Sequence, residues 1–168
     1  MMMFFTTSTV KDWYPILKQE RFRKIVIDSI SFLIEDGRIK LHGYVIIPNH
    51  LHTIFTVLKP YHLFEIFRDF HKFTSQQILK VLRNEKQNLL LRFQSEYVDR
   101  KHQIWQTTHA AKEIVSFPFF RQKLEYIHWN PCNERWKMCE KPDDYPYSSA
   151  TDYLIGIAGP LSIAKILQ

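Results

Sequence analysis

Residues 44–55, Tyr-Val-Ile-Ile-Pro-Asn-His-Leu-His-Thr-Ile-Phe, contain the turn from which the fold of this chain can be worked out. Pro48 and Asn49 are typical turn residues, and the apolar stretches on either side are typical of β-strands. The pattern predicts an antiparallel hairpin with one strand over 39–47 and the next over 51–58. Because the first strand is almost continuously apolar, we expect the hairpin to lie in the centre of a sheet.

The sequence on both sides of the hairpin extends it into a mixed fold. Composition and the spacing of apolar residues predict, in chain order, a strand over 4–10, helices over 13–34 and 61–84, a fourth strand over 103–108 and a helix over 117–130. The order β-α-β-β-α-β, followed by a C-terminal helix, predicts an α+β, ferredoxin-like sandwich. No repeat or linker interrupts this order, so we expect residues 1–168 to form a single domain.

The charge of the chain is concentrated in its first part. Residues 1–101 carry 16 Lys and Arg against 10 Asp and Glu, whereas residues 102–168 carry seven of each. The 45% apolar and 24% charged content is that of an ordinary globular protein. A pI near 9.3 favours a polyanionic partner such as a nucleic acid, and the alternative is a generic basic surface.

The sequence also predicts where the protein works. Met1 to Val10 lacks the features of a signal peptide, and no apolar run is long enough to cross a membrane. Cys132 and Cys139 form neither a disulfide framework nor a CxxC zinc pattern. We therefore expect a cytoplasmic protein with reduced thiols and no membrane partner.

His50 and His52 are candidate ligands of one divalent metal. Side chains alternate across a strand, so two histidines separated by one residue lie on the same face. A His-x-His pair is weak evidence by itself, because histidines on strands are often satisfied structural residues. Two imidazoles without partners in the middle of a sheet would be costly to bury, and this favours a metal site.

Tyr126 and Asn130 are four residues apart, on one face of the last predicted helix. A tyrosine is a poor nucleophile at neutral pH, since its ordinary pKa is about 10, and it becomes effective on a phosphate whose charge a metal neutralises. The amide oxygen of Asn130 suits Mg²⁺ or Mn²⁺ as a third ligand, and imidazole suits Mn²⁺ better. The choice of metal stays open, as does the alternative that Tyr126 is a structural residue.

Several segments resemble one family. Residues 44–52 look like the His-hydrophobic-His motif of the single-tyrosine HUH transposases, and residues 122–131, Gln-Lys-Leu-Glu-Tyr-Ile-His-Trp-Asn-Pro, resemble the helix that carries their nucleophile. The Tyr followed by Asn-Pro is most similar to the REP-associated tyrosine transposase-like branch. Further similar segments are 68–75, 104–106 and 144–150. Residues 132–135, Cys-Asn-Glu-Arg, depart from the family pattern, which usually has Val and then a small or Gly-containing turn.

The resemblance implies a role for each candidate residue. His50 and His52 match the metal ligands, Tyr126 matches the nucleophile, and Asn130 matches the residue that completes the metal site. The chain would then be an HUH transposase domain, a metal-dependent endonuclease and strand-transferase that acts on single-stranded or hairpin DNA through a 5′-phosphotyrosine. The family would place it in the bacterial cytoplasm, at the nucleoid. A monomer and a homodimer both stay open.

Four basic residues are candidate DNA contacts, and two rival functions remain. We expect Arg68 and Lys72 on the second helix to form one basic surface with Arg121 and Lys123 beside Tyr126, although charges on a helix face are often only solvated. One rival is a ferredoxin-like nucleic-acid-binding module without catalysis. The other is a metallohydrolase in which the tyrosine is structural.

Overall fold

A computed structural model describes residues 1–85, 88–107 and 110–166 of the 168-residue chain. Its strands are β1 Met2–Thr9, β2 Ile39–Ile47, β3 His50–Val57 and β4 Ala110–Glu113. Its helices are α1 Glu20–Glu35, α2 Leu63–Asn84, α3 Leu89–Arg92, α4 Phe117–Trp129 and α5 Ala150–Leu154, with short 3₁₀ turns at Lys11–Trp13, Ile16–Lys18, Asn130–Cys132 and Pro142–Asp144. Among the described residues, no helix combines the length and apolar character that a membrane span requires.

The four strands form one antiparallel sheet in the order β2-β3-β1-β4. β1 and β2 run in the same direction and are separated by β3, which is the split β-α-β arrangement of ferredoxin-like folds. The predicted α+β, ferredoxin-like fold is therefore confirmed. Thr7 on β1 lies opposite His52 on β3, so the register of the inner strands decides which residues surround the histidines.

The predicted hairpin is present, but its place in the sheet differs from the expectation. β2 covers the predicted 39–47, and β3 begins one residue earlier than predicted, at His50. β2 is an edge strand, not a central one. Its edge is covered by the C-terminal part of the chain, where Ile46 N donates to Tyr147 O at 2.9 Å and Ser149 N donates to Tyr44 O at 3.0 Å. Because the C-terminal segment shields this edge from solvent, β2 is apolar along most of its length although it is an edge strand.

Helices cover both faces of the sheet. Leu51, Phe55 and Val57 of β3 pack in one cluster with α1 and α2, and the alternate residue Ile54 packs in a second cluster with Ile127 of α4. The alternation of side chains along β3 therefore assigns α2 and α4 to opposite faces. α4 approaches β2 closely at Gly43, where an added Cβ would lie 2.7 Å from the Leu124 side chain.

Two predicted elements were wrong in position. The first helix begins at Glu20 and not at Trp13, because Pro15 holds the preceding residue in an extended conformation and short 3₁₀ turns precede the helix. The fourth strand is Ala110–Glu113, which is exposed along its whole length and so lacks an apolar pattern. Within the predicted 103–108, Trp105 makes an isolated bridge to Val10, the residue after β1, and Thr108 lies outside the described residues.

Candidate active site

His50 and His52 lie side by side on the face of β3 that α4 covers. Their ring centroids are 4.8 Å apart, and both side chains are buried. The His52 ring also stacks on Phe5 of β1 at 5.4 Å. Strand alternation thus brings the two imidazoles together, in the arrangement that the sequence predicts.

Hydrogen bonds orient both imidazoles in the same way. Asn49 Nδ2 donates to Trp13 O at 3.1 Å, so Asn49 Oδ1 is the atom that faces His50 Nδ1, at 2.7 Å. An amide oxygen can only accept, so His50 Nδ1 carries the proton and Nε2 keeps its lone pair. His52 Nδ1 pairs with Thr7 Oγ1 at 2.8 Å, and its Nε2 is buried without a partner. Such contacts to the remote nitrogen orient metal-bound histidines in proteins.

Both histidines are neutral at physiological pH. Burial lowers the pKa of His50 to about 4, and the Arg135 charge adds to this effect. Burial also lowers the pKa of His52 to about 3, with a further contribution from His50. The neutral imidazole is the form that binds a metal.

Asn130 directly follows α4 and lines the same cavity as the two histidines. It keeps right-handed helical angles, φ −54° and ψ −47°, and the helix tightens there into the 3₁₀ turn that contains Pro131. Asn130 Oδ1 is buried and has no hydrogen-bond partner. A buried amide oxygen without a partner is costly, so this oxygen is available to accept a bond from a ligand.

Tyr126 lies one helical turn before Asn130 and is 50% exposed. Its ring centroid is 5.4 Å from that of His52 and 6.0 Å from that of Phe5. Lys123, one turn earlier on α4, has its Nζ 5.7 Å from the Tyr126 ring centroid. The tyrosine is therefore held by ring contacts while its outer part stays open to solvent.

These side chains surround one cavity of about 180 Å³. It is lined by Thr7, Trp13, His50, His52, Tyr126, Asn130, Asn133, Arg135 and Trp136. The sequence singled out four of these residues and missed the other five, which are Thr7, Trp13, Asn133, Arg135 and Trp136. Trp13 was assigned to a helix that starts later, Arg135 was noted only within a segment that departs from the family pattern, and no motif marks Trp136.

The cavity offers a donor set that fits a divalent metal. Within residues 1–85, 88–107 and 110–166, no three His, Cys, Asp or Glu side chains come together as a metal site. A metal bound here would therefore need an amide oxygen as its third protein ligand. Asn130 Oδ1 and His52 Nε2 are both buried without hydrogen-bond partners, and both residues line this cavity. Two neutral imidazoles and an amide oxygen leave positions for phosphate oxygens and water, as a metal that binds substrate requires.

The four candidate DNA contacts do not form one surface. Arg121 and Lys123 lie on α4, with Lys123 beside Tyr126, whereas Arg68 and Lys72 lie on α2, on the opposite face of the sheet. The expectation of a single basic surface was wrong, because chain order alone does not assign helices to faces. Arg68 is also paired with Asp69 at 2.8 Å, and Lys72 lines a separate cavity.

The fold is similar to that of two solved structures. A REP-associated tyrosine transposase bound to a REP hairpin has a TM-score of 0.67 at 17% identity, over 99% of this chain and 93% of that one. A candidate transposase from Deinococcus radiodurans has a TM-score of 0.50 at 13% identity, over 74% of this chain and 87% of that one. The sequence matches no family model and no curated protein. The resemblance inferred from the sequence is thus confirmed as a shared fold.

Proposed function

We propose that this protein, which has the fold of the REP-associated tyrosine transposases, is a metal-dependent endonuclease and strand-transferase of single-stranded DNA. One observation carries the proposal: a half-exposed tyrosine lies on the rim of a cavity that contains two oriented, neutral histidines and an unpaired amide oxygen. Hairpin-associated sites are the proposed substrate, since the similar transposase structure is bound to a REP hairpin.

Tyr126 acts as the nucleophile in this proposal. Its Oη attacks the phosphorus of a phosphodiester, a new Oη–P bond forms, and the bond from phosphorus to the 3′-oxygen breaks. The phenol proton is balanced by the proton taken up by the departing 3′-oxygen, so the products are a 5′-phosphotyrosine and a 3′-hydroxyl. Attack by another 3′-hydroxyl reverses the step and joins strands without an external energy source.

The other side chains hold the reacting groups in place. His50, His52 and Asn130 would hold Mg²⁺ or Mn²⁺, which when bound neutralises phosphate charge and orients the phosphodiester. Phe5 and His52 hold the Tyr126 ring through face and edge contacts. The Lys123 ammonium lies 5.7 Å from the Tyr126 ring centroid, close enough to attract the phosphate anion that the tyrosine attacks.

The rival without catalysis has less support. Ferredoxin-like nucleic-acid-binding modules use an open sheet face with exposed aromatic residues. Here α4 packs on one face through Phe120 and Ile127, and α1 and α2 pack on the other. The histidines lie buried under α4. The metallohydrolase rival differs only in the role of Tyr126, so a covalent adduct separates it from the proposal.

The direct test is a denaturing gel. The wild-type protein, incubated with Mn²⁺ and a hairpin oligonucleotide that has single-stranded flanks, should give a protein–DNA adduct and a shortened strand with a 3′-hydroxyl. Cleavage without an adduct would favour the metallohydrolase. Binding without cleavage in any divalent metal would favour the module.

Thr7→Val should weaken metal binding about tenfold, because it removes the hydroxyl that orients His52 while keeping the shape of the side chain. Thr56→Val is a matched control, since Thr56 Oγ1 makes an equally short contact of 2.8 Å to His42 Nε2, outside the cavity. Calorimetric titration with Mn²⁺ measures both affinities. Equal Mn²⁺ affinities in the two variants would show that Thr7 does not orient His52 for metal binding.

Reversing the charges on α4, the helix that carries Tyr126, should weaken DNA binding more than reversing those on α2. In Arg121→Glu/Lys123→Glu, we expect weaker binding to every single-stranded sequence and a log–log salt slope reduced by roughly one unit per lost phosphate contact. Arg68→Glu/Lys72→Glu makes the same change in charge on the other face. An unchanged slope in the first variant would identify its residues as ordinary solvated charges.

A further inference from the structure

Trp13 and Trp136 place two indole rings at the cavity, and both rings lie close to Arg135. The Arg135 guanidinium lies 5.4 Å from the Trp13 ring centroid and 5.2 Å from that of Trp136. Both indoles also contact the first histidine, with ring centroids 6.1 Å and 5.7 Å from His50. We call Trp13, Arg135 and Trp136 the indole–arginine cluster. It adjoins the candidate metal ligands directly.

Trp13 is held exposed by a constrained backbone. It is 48% exposed, and both Asp12 and Trp13 have left-handed angles, with φ of 53° and 56°. Bulky residues seldom adopt this conformation, and it persists only where the surroundings enforce it. Trp13 N donates to Val10 O at 3.0 Å, and Trp13 O accepts from Asn49 Nδ2 at 3.1 Å. The hairpin turn that orients His50 thus also holds the indole open to solvent.

Arg135 has no acidic partner in the part of the chain that the structure describes, and its charge is free to meet an anion. Its loop is well fixed nonetheless. Asn133 Oδ1 accepts from the backbone N–H groups of Arg135 and Trp136 at 3.1 and 3.2 Å, and Met138 N donates to Pro131 O at 2.9 Å. A positive charge without an acidic partner, next to two aromatic rings, suits a ligand with a flat face and a phosphate.

We propose that the indole–arginine cluster binds one unpaired nucleotide next to the phosphodiester that Tyr126 attacks, a role that rests on the proposed function of the same cavity. The base stacks on the exposed face of Trp13, and Arg135 donates to the adjoining phosphate. Stacking on an aromatic ring requires a base but tolerates any sequence, because every base has a π-face. The cluster therefore orients the strand and does not read its sequence.

The test measures the affinity of a fluorescent hairpin oligonucleotide with single-stranded flanks by anisotropy, in the absence of divalent metal. Trp13→Ala should bind about tenfold more weakly, within the range expected for one stacked base, and Trp13→Phe should bind nearly as well as the wild type. The Ala variant keeps a Cβ at the left-handed position, so it removes the ring without changing the backbone requirement. Trp129→Ala is the matched control, because Trp129 is 52% exposed and lies outside the cavity.

Abasic substitutions provide a second, independent measurement on the wild-type protein. Moved one position at a time through the flanks, an abasic site should weaken binding about tenfold at one position next to the cleavage site, whichever base it replaces. With the oligonucleotide that is abasic at that position, Trp13→Ala and the wild type should bind equally. Equal binding of Trp13→Ala, Trp129→Ala and the wild type to the intact oligonucleotide would overturn the proposal, as would an abasic scan without a sensitive position.

The adduct assay separates the two proposals. If the wild-type protein forms an adduct and Trp13→Ala binds normally, the nucleotide site is wrong and the proposed function stands. If the wild-type protein forms no adduct but Trp13 and one abasic position show the shared loss, the nucleotide site stands and the strand-transfer chemistry is wrong. If the wild-type protein binds no single-stranded or hairpin DNA, both are rejected.

Discussion

Tyr126→Phe is expected to abolish the protein–DNA adduct and strand cleavage while leaving the fold, metal affinity and DNA binding intact. The substitution removes one hydroxyl from a half-exposed side chain, and the ring contacts to Phe5, His52 and Lys123 remain. Tyr126 is the one tyrosine among the residues that line the cavity. We expect the rate of adduct formation to fall by roughly four orders of magnitude or more, the scale for removal of a catalytic nucleophile.

Tyr97→Phe is the matched control for this experiment. Tyr97 is 49% exposed, close to the value for Tyr126, but it lines a different cavity. Its variant should form the adduct at the wild-type rate on a denaturing gel, and thermal melting should show both variants folded. An adduct that survives in Tyr126→Phe would contradict the mechanism and make Tyr97 or Tyr44 the residue to test next.

Removing one imidazole should remove the metal site. In His52→Ala, we expect the Mn²⁺ affinity to fall by more than about 100-fold, since replacing even an outer partner of a ligand costs 10- to 100-fold. Cleavage should fall with it, and in His50→Ala a large excess of Mn²⁺ should partly restore cleavage. Metal should also stabilise the wild-type protein, by about 2.7 kcal/mol at a free concentration of about 100 times its Kd, and should not stabilise His52→Ala.

His42→Gln serves as the control for the metal site. His42 is also a buried histidine of the hairpin, but both its nitrogens are hydrogen-bonded within the chain, Nδ1 to Ala164 O at 2.7 Å and Nε2 to Thr56 Oγ1 at 2.8 Å. It therefore has no lone pair to offer, and its replacement should change stability without changing the affinity for Mn²⁺. If neither Mg²⁺ nor Mn²⁺ changes the melting temperature of the wild-type protein, the proposed metal site is wrong.

Most of the cavity's central residues could be found in the sequence because their placement depends on local geometry. A strand places residues two apart on one face, so His50 and His52 had to lie side by side once Pro48 and Asn49 had been recognised as a turn. A helix places residues four apart on one face, which relates Tyr126 to Asn130 in the same way. These are short-range consequences of backbone periodicity.

Other elements could not be predicted, because their pattern is weak or misleading. β4 has no buried residue, so no alternation marks it. The apolar residues before α1 suggested an earlier helix start, but they belong to 3₁₀ turns that pack against the hairpin, where Leu17 N donates to Pro48 O at 2.9 Å. The edge position of β2 was missed because the C-terminal segment that covers it comes a hundred residues later in the chain.

The sequence by itself determined the secondary structure of the hairpin, the ferredoxin-like order of elements and the residues able to carry the chemistry. Tertiary structure alone decided that Tyr126 lies over His52, that α2 and α4 occupy opposite faces, and that Trp13 and Arg135 meet beside His50. The physical reason is the distance along the chain over which each effect acts. Backbone periodicity acts over a few residues, whereas the packing of helices on a sheet joins side chains far apart in the chain, and no local pattern records which of them will meet.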